Sequence, residues 1–179
     1  GTFGFVYEFI FYYFNGGMEQ FYWRGGNFLP WINIYATGSF IVYFLTYKRR
    51  KKPLQVFLIS FFACGLLEYI SGLGMYMAGN VCWDYNQEIL NFGNIHGFVC
   101  LRSVVFFGLS SLLFIYVVVP CCFYLAKKMN KKVFITISVV LCSVILIDEF
   151  YNLLIAKMLA LPRARDIYTK IGFHYVNFR

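Results

Sequence analysis

Four ionisable residues stand inside runs of apolar sequence: Glu8, Glu68, Arg102 and Asp148, the last followed directly by Glu149. A charge surrounded by hydrocarbon is costly unless it is paired, and by default it marks a functional position. Two arrangements would satisfy these four. In one, the planar guanidinium of Arg102 meets Glu8, Glu68 or Asp148 and locks helices together. In the other, the acids line a polar pocket open to one face, which takes a cation, a proton or a polar head group. The acids outnumber the single arginine, so one or more of them would then be protonated or bound to something else.

A second group of candidates lies between two of the runs, from Gly79 to Gly97. This stretch is rich in turn formers and side-chain hydrogen bonders, and it carries Trp83, Asp84, Tyr85, Asn91, Asn94 and His96. Such a loop can fold back as a lid, with Asp84 accepting hydrogen bonds from turn amides. A single histidine at such a place reads as a hydrogen-bonded structural residue rather than as a base. No nucleophile–base spacing supports catalysis, so the expectation is that the chain is not an enzyme. The cysteines give no zinc spacing with histidine, so neither a metal nor another cofactor is expected. Cys64, Cys100, Cys121, Cys122 and Cys142 sit in apolar runs, and Cys82 would reach Cys100 only if the loop folded back.

The elements that must position these residues follow from composition. The chain has 179 residues, 60% hydrophobic and only 13% charged, against about 45–50% and about 25% in ordinary soluble domains. A bilayer core of about 30 Å needs about 20 apolar residues in a helix. Runs near 3–14, 31–47, 54–78, 98–126 and 133–156 predict an all-α integral membrane protein, a five-helix transmembrane bundle over 1–161. The first run is short and reads as the outer part of a helix that begins upstream of Gly1. The runs are apolar on every face, unlike the alternating strands of a barrel. Pro120 is expected to end or kink the fourth helix, and Gly74 with Ala78 to give a close helix contact. At about 1.5 Å per residue, Glu8, Glu68, Arg102 and Asp148 all fall roughly 21–24 Å from one edge, in one layer of the outer half.

The net charge of +8 comes from 16 basic and 8 acidic residues. Nine of the basic ones lie in two short loops: Lys48, Arg49, Arg50, Lys51 and Lys52, then Lys127, Lys128, Lys131 and Lys132. Short loops rich in Lys and Arg face the cytoplasm. The excess is therefore read as topology and contact with anionic lipid, not as nucleic-acid binding. Residues 162–179 mix Arg163, Arg165, Tyr168, Lys170, Phe173 and Tyr175 and read as an interfacial tail. Five crossings from an inside start leave this basic tail outside, against the usual trend. Either the two loop clusters dominate, or the last helix re-enters and turns back at Asp148–Glu149.

The succession Leu67-Glu68-Tyr69, Trp83-Asp84-Tyr85, Asn91 to Gly97, then Val99-Cys100-Leu101-Arg102 and Phe107-Gly108 resembles the bacterial family catalogued as putative ABC-transporter type IV membrane proteins. Gly4-x-x-Tyr7-Glu8 and the Arg24-Gly25 leading to Pro30 are similar to it as well, so the likeness runs from about residue 4 to 155. Where the family reads Gly-Pro and then Pro-x-Tyr-Gly, this chain has Phe28-Leu29-Pro30-Trp31 and Ile34-Tyr35-Ala36. The resemblance implies a small bacterial membrane protein. No Gly-x-x-x-x-Gly-Lys-Ser/Thr phosphate loop is present in these residues, so an ATPase would be a separate chain. Two functions remain open. One is a permease-like transport subunit in the bacterial cytoplasmic membrane, with its polar site in the outer half and a homo-oligomer completing the path. The other is a non-transporting assembly partner, sensor or regulator whose outer loops bind a protein or lipid.

Overall fold

The structure, a computed structural model, describes residues 1–15, 18–79 and 82–175. The described residues are all-α, with 70% in helix and no strand; two isolated bridges, Tyr22 with His174 and Ile95 with Val99, are the nearest approach to one. Among the described residues six continuous helices follow one another. They are α1 (Thr2–Asn15), α2 (Asn33–Thr46, prolonged by a 3-10 turn over Tyr47–Arg49), α3 (Pro53–Met77), α4 (Leu101–Lys128), α5 (Lys131–Met158) and α6 (Ala164–Lys170). Three of them, α3, α4 and α5, are long and apolar enough to cross a membrane. α1 and α2 have 14 residues each, or about 21 Å of helix, so the expected bundle of five spans is met by three helices on length and composition.

The helix boundaries have local causes. Pro53 opens α3, where its missing N–H is not needed. Asn130 caps α5 by accepting from the Lys132 amide at 2.9 Å. α4 begins three residues later than the apolar run does. Cys100 is extended and forms a capping box with Ser103, and Phe98 and Val99 belong instead to the closing turn of the preceding loop. Pro120 does not end α4, which continues to Lys128. A π turn over Phe114–Val118, closed by the Val119 amide on the Phe114 carbonyl, lies just ahead of the proline. A second π turn, Tyr151–Ile155, follows the acidic pair of α5.

Contacts divide the chain into two compact units, Gly1–Asn33 with Tyr124–Val176, and Ile34–Phe123. In the second, α2, α3 and α4 share a core of Val42, Val56, Cys64, Ile115 and Val119. α3 and α4 approach closely at glycines. A Cβ on Gly65 would stand 2.7 Å from Val104 Cγ1, and one on Gly108 would stand 2.5 Å from Phe57 Cε2. Gly74, expected at such a contact, faces open space. In the first unit, Phe5 and Phe9 lie one turn apart on α1, and Phe9 and Tyr13 stack on Phe21. The tail folds onto the same segment: Trp23 stacks on Tyr168 at 3.9 Å, and the Trp23 amide donates to the His174 carbonyl.

Candidate functional site

The polar groups of the second unit gather where the loop between α3 and α4 meets both helices. Asp84 organises the loop's first turn. Its Oδ1 accepts from the amide and side chain of Asn86, and its Oδ2 accepts from Gln87. Asn94 donates to Asn86 and accepts from the Gly97 amide. Gly97 has φ +79, and a Cβ there would stand 2.5 Å from Asp84 Oδ1, so only glycine fits. Trp83 donates its indole N–H to the Phe98 carbonyl. The loop thereby folds back on itself, and Tyr85 is buried beneath it.

From there Tyr85 reaches Glu68, which is buried in α3. The phenol donates to Glu68 Oε1 at 2.5 Å, and Ser103 Oγ lies 2.7 Å from Glu68 Oε2. Ser103 is also 2.8 Å from the Cys100 carbonyl, and its single proton serves one acceptor at a time. Burial pushes the Tyr85 phenol well above its ordinary pKa, and the Glu68 carboxylate pushes in the same direction. Tyr85 is therefore a donor at any physiological pH. Arg102, in the first turn of α4, sits over the Tyr85 ring at 5.4 Å and forms a salt bridge with buried Glu88 at 2.6 Å. Glu68 and Arg102, expected in one layer, thus share Tyr85 as a neighbour. Of the other loop candidates, His96 is exposed with φ 55 and pairs through Nδ1 with the Tyr69 hydroxyl at 3.0 Å. Asn91 is half-buried at the loop tip.

Glu8 and Asp148 belong to the first unit. Glu8 pairs with Arg24 at 2.5 Å, and the same guanidinium lies over Tyr12. Asp148 accepts from two consecutive amides, Phe28 at 2.9 Å and Leu29 at 2.7 Å, and from Asn152 at 2.8 Å. Asn152 in turn accepts from the Ala164 amide, where α6 begins. Glu149 holds Asn27 and Asn33, one on each side of Pro30. Tyr168 completes the clamp by donating to the Phe28 carbonyl at 2.7 Å. The Asp148–Glu149 step is therefore a clamp on the turn before α2.

Sequence reasoning named Arg24 only within the Arg24-Gly25 family motif, and did not single out Glu88, Ser103, Asn27, Asn33 or Asn152. Ser103 carried little signal, since the capping-box pattern is Ser or Thr followed three residues on by Glu or Gln, and here Cys100 takes the first place and Ser103 the second. The others meet their partners across the fold and had none. Among the described residues no cluster of three or more His, Cys, Asp or Glu could hold a metal ion, and Cys82 and Cys100 are not joined in a disulfide, Cys100 being buried and Cys82 exposed.

Long apolar helices and buried carboxylates that are held by returning loops define a helical membrane protein. The chain belongs to the family described as Putative ABC-transporter type IV, which matches residues 1–153. Comparison with curated proteins and with solved structures gave no match.

Proposed function

We propose that the chain is a multi-pass, permease-like subunit of a membrane transport system, with the polar cluster around Glu68 as its working site. The observation that carries this reading is the Glu68 carboxylate. It is buried within a membrane-length helix, yet its oxygens are engaged by two hydroxyls, Tyr85 and Ser103. A hydrated cation or a polar head group offers the same kind of hydroxyl donor, and an ionisable group at membrane depth marks such a site. The loop that carries Tyr85 is then the lid. A separate ATPase chain would supply the energy, and no enzymatic step is proposed for this one.

The contact between Phe28 and Tyr168 supports a fourth crossing beside the three membrane-length helices. These residues touch, so they lie on one side of the membrane, and an even number of crossings must separate them. α3, α4 and α5 supply three. α2 supplies the fourth: its 14 residues and 3-residue 3-10 turn reach about 27 Å, and the shortfall is met by the snorkelling of Lys48 to Lys52. α1 is the fifth. In the bacterial cytoplasmic membrane, loops 48–52 and 127–132 then face inward, and the tail faces outward with the loops after α1 and α3.

A second reading is a non-transporting assembly partner. It is favoured by α5, of whose apolar window only 6% is buried, which leaves a face for lipid, a second copy or another membrane protein. Reconstitution into liposomes with a substrate panel, together with any ATPase chain found encoded beside it, separates the two. Flux that falls at least tenfold in Glu68→Gln, with stability retained, supports transport. Absence of flux for wild type, alongside a stable partner in pull-downs, supports the assembly role, as does a Glu68→Gln chain of normal function and lower stability.

A further inference from the structure

The tip of the loop between α3 and α4 exposes a row of large apolar side chains that neither the lid nor the Glu68 cluster uses. Ile89 is 54% exposed, Leu90 60%, Phe92 56% and Ile95 52%. From residue 89 to residue 100 the sequence has no Asp, Glu, Lys or Arg. Leu90 holds its side chain outward from a left-handed backbone, φ 55, that leucine rarely adopts.

We infer that this tip is a membrane-anchoring foot, seated at the boundary between head groups and acyl chains. Its position is fixed by α4. The Leu101 amide donates to the Phe92 carbonyl at 3.1 Å, and a Cβ on Gly93 would stand 3.2 Å from Leu101 Cβ. Leu101 is itself exposed, as are Leu109 and Leu113 further along α4. The tip therefore continues the apolar surface of a membrane-length helix at that helix's end. Several of its backbone groups are already satisfied, since Ile95 donates to Val99 and Phe98 to Ile95. This lowers the cost of leaving water. Asn91 and the second ring nitrogen of exposed His96 keep the foot at the interface and out of the hydrocarbon centre, because these polar groups need water or head-group partners. By anchoring the tip, the bilayer would hold the Tyr85 lid over Glu68.

The inference rests on the reading that α3 and α4 cross the membrane, and one experiment separates the two. A benzophenone amino acid is placed at Leu90, at Phe92, at Leu109 within α4 and at exposed Gln87, in the full chain in phospholipid nanodiscs, and irradiated. Mass spectrometry should find phospholipid adducts at 90, 92 and 109, with at least fivefold less at 87. Adducts at 109 but none at 90 and 92 would overturn the foot and leave the crossing of α4 intact. A lack of adducts at 109 as well would overturn both. Repeating the irradiation in native membranes tests the occupant: protein adducts at 90 and 92 in place of lipid would reject the bilayer as the partner.

Discussion

Tyr85 donates its hydroxyl to Glu68 across 2.5 Å, so a residue of the loop satisfies a carboxylate buried inside α3. The loop and the helix are thereby one structural unit. Tyr85 is the link between them, because Arg102 and Glu88 gather around it as well.

Tyr85→Phe should lower stability by about 2 kcal/mol, the typical value of a hydrogen bond to a charged group. Its pH dependence carries a second signature. The folded phenol keeps its proton above its ordinary pKa of 10.0, whereas the unfolded one loses it. The folded state then binds more protons, so stability falls as pH rises above about 10. Thermal unfolding in detergent between pH 8 and pH 11 should show a steeper alkaline loss for wild type than for Tyr85→Phe. Parallel curves would mean that the phenol is not buried against Glu68.

Asp148→Asn should release the turn before α2. An amide side chain offers one acceptor oxygen where Phe28 and Leu29 present two donors, so one donor would face another. The expected cost is about 2–4 kcal/mol. Hydrogen exchange should quicken at the Phe28 and Leu29 amides and, through Tyr168, across the tail. Unchanged protection at these amides would show that the clamp is not what holds the turn.

Gly65→Ala should cost about 1–3 kcal/mol, because a methyl there meets Val104 at a distance no relaxed contact shows. Gly65→Ala with Val104→Ala should recover most of that loss if the α3–α4 contact is the cause. A double variant no better than the single one would place the strain elsewhere.

α3, α4 and α5 were legible in the sequence because each is a long apolar run, and such runs report their own length; the short polar α6 was not. The start of α4 was not, since Phe98 and Val99 are as apolar as the helix and only the Cys100–Ser103 box separates them from it. Glu68, Arg102, Glu8 and Asp148 stood out as charges among apolar neighbours. Their partners did not. Arg102 meets Glu88 fourteen residues back, and Asp148 meets amides 120 and 119 residues away, which any sequence could supply. A backbone N–H has no residue type to recognise. The tail shows the same limit. Its mixture of arginines and aromatics reads as a segment for a membrane surface, and nothing in it names Trp23 as the ring on which Tyr168 stacks.

The central claim is that an even number of crossings lies between Phe28 and Tyr168, with α2 as one of them. Sided labelling of single cysteines in intact cells tests it most directly, with probes at exposed Met18, Lys170 and Lys51 in a chain freed of its native cysteines. The account predicts that an impermeant reagent labels positions 18 and 170 from outside, and position 51 only after the inner face is opened. Labelling of 18 and 170 from opposite sides would contradict it.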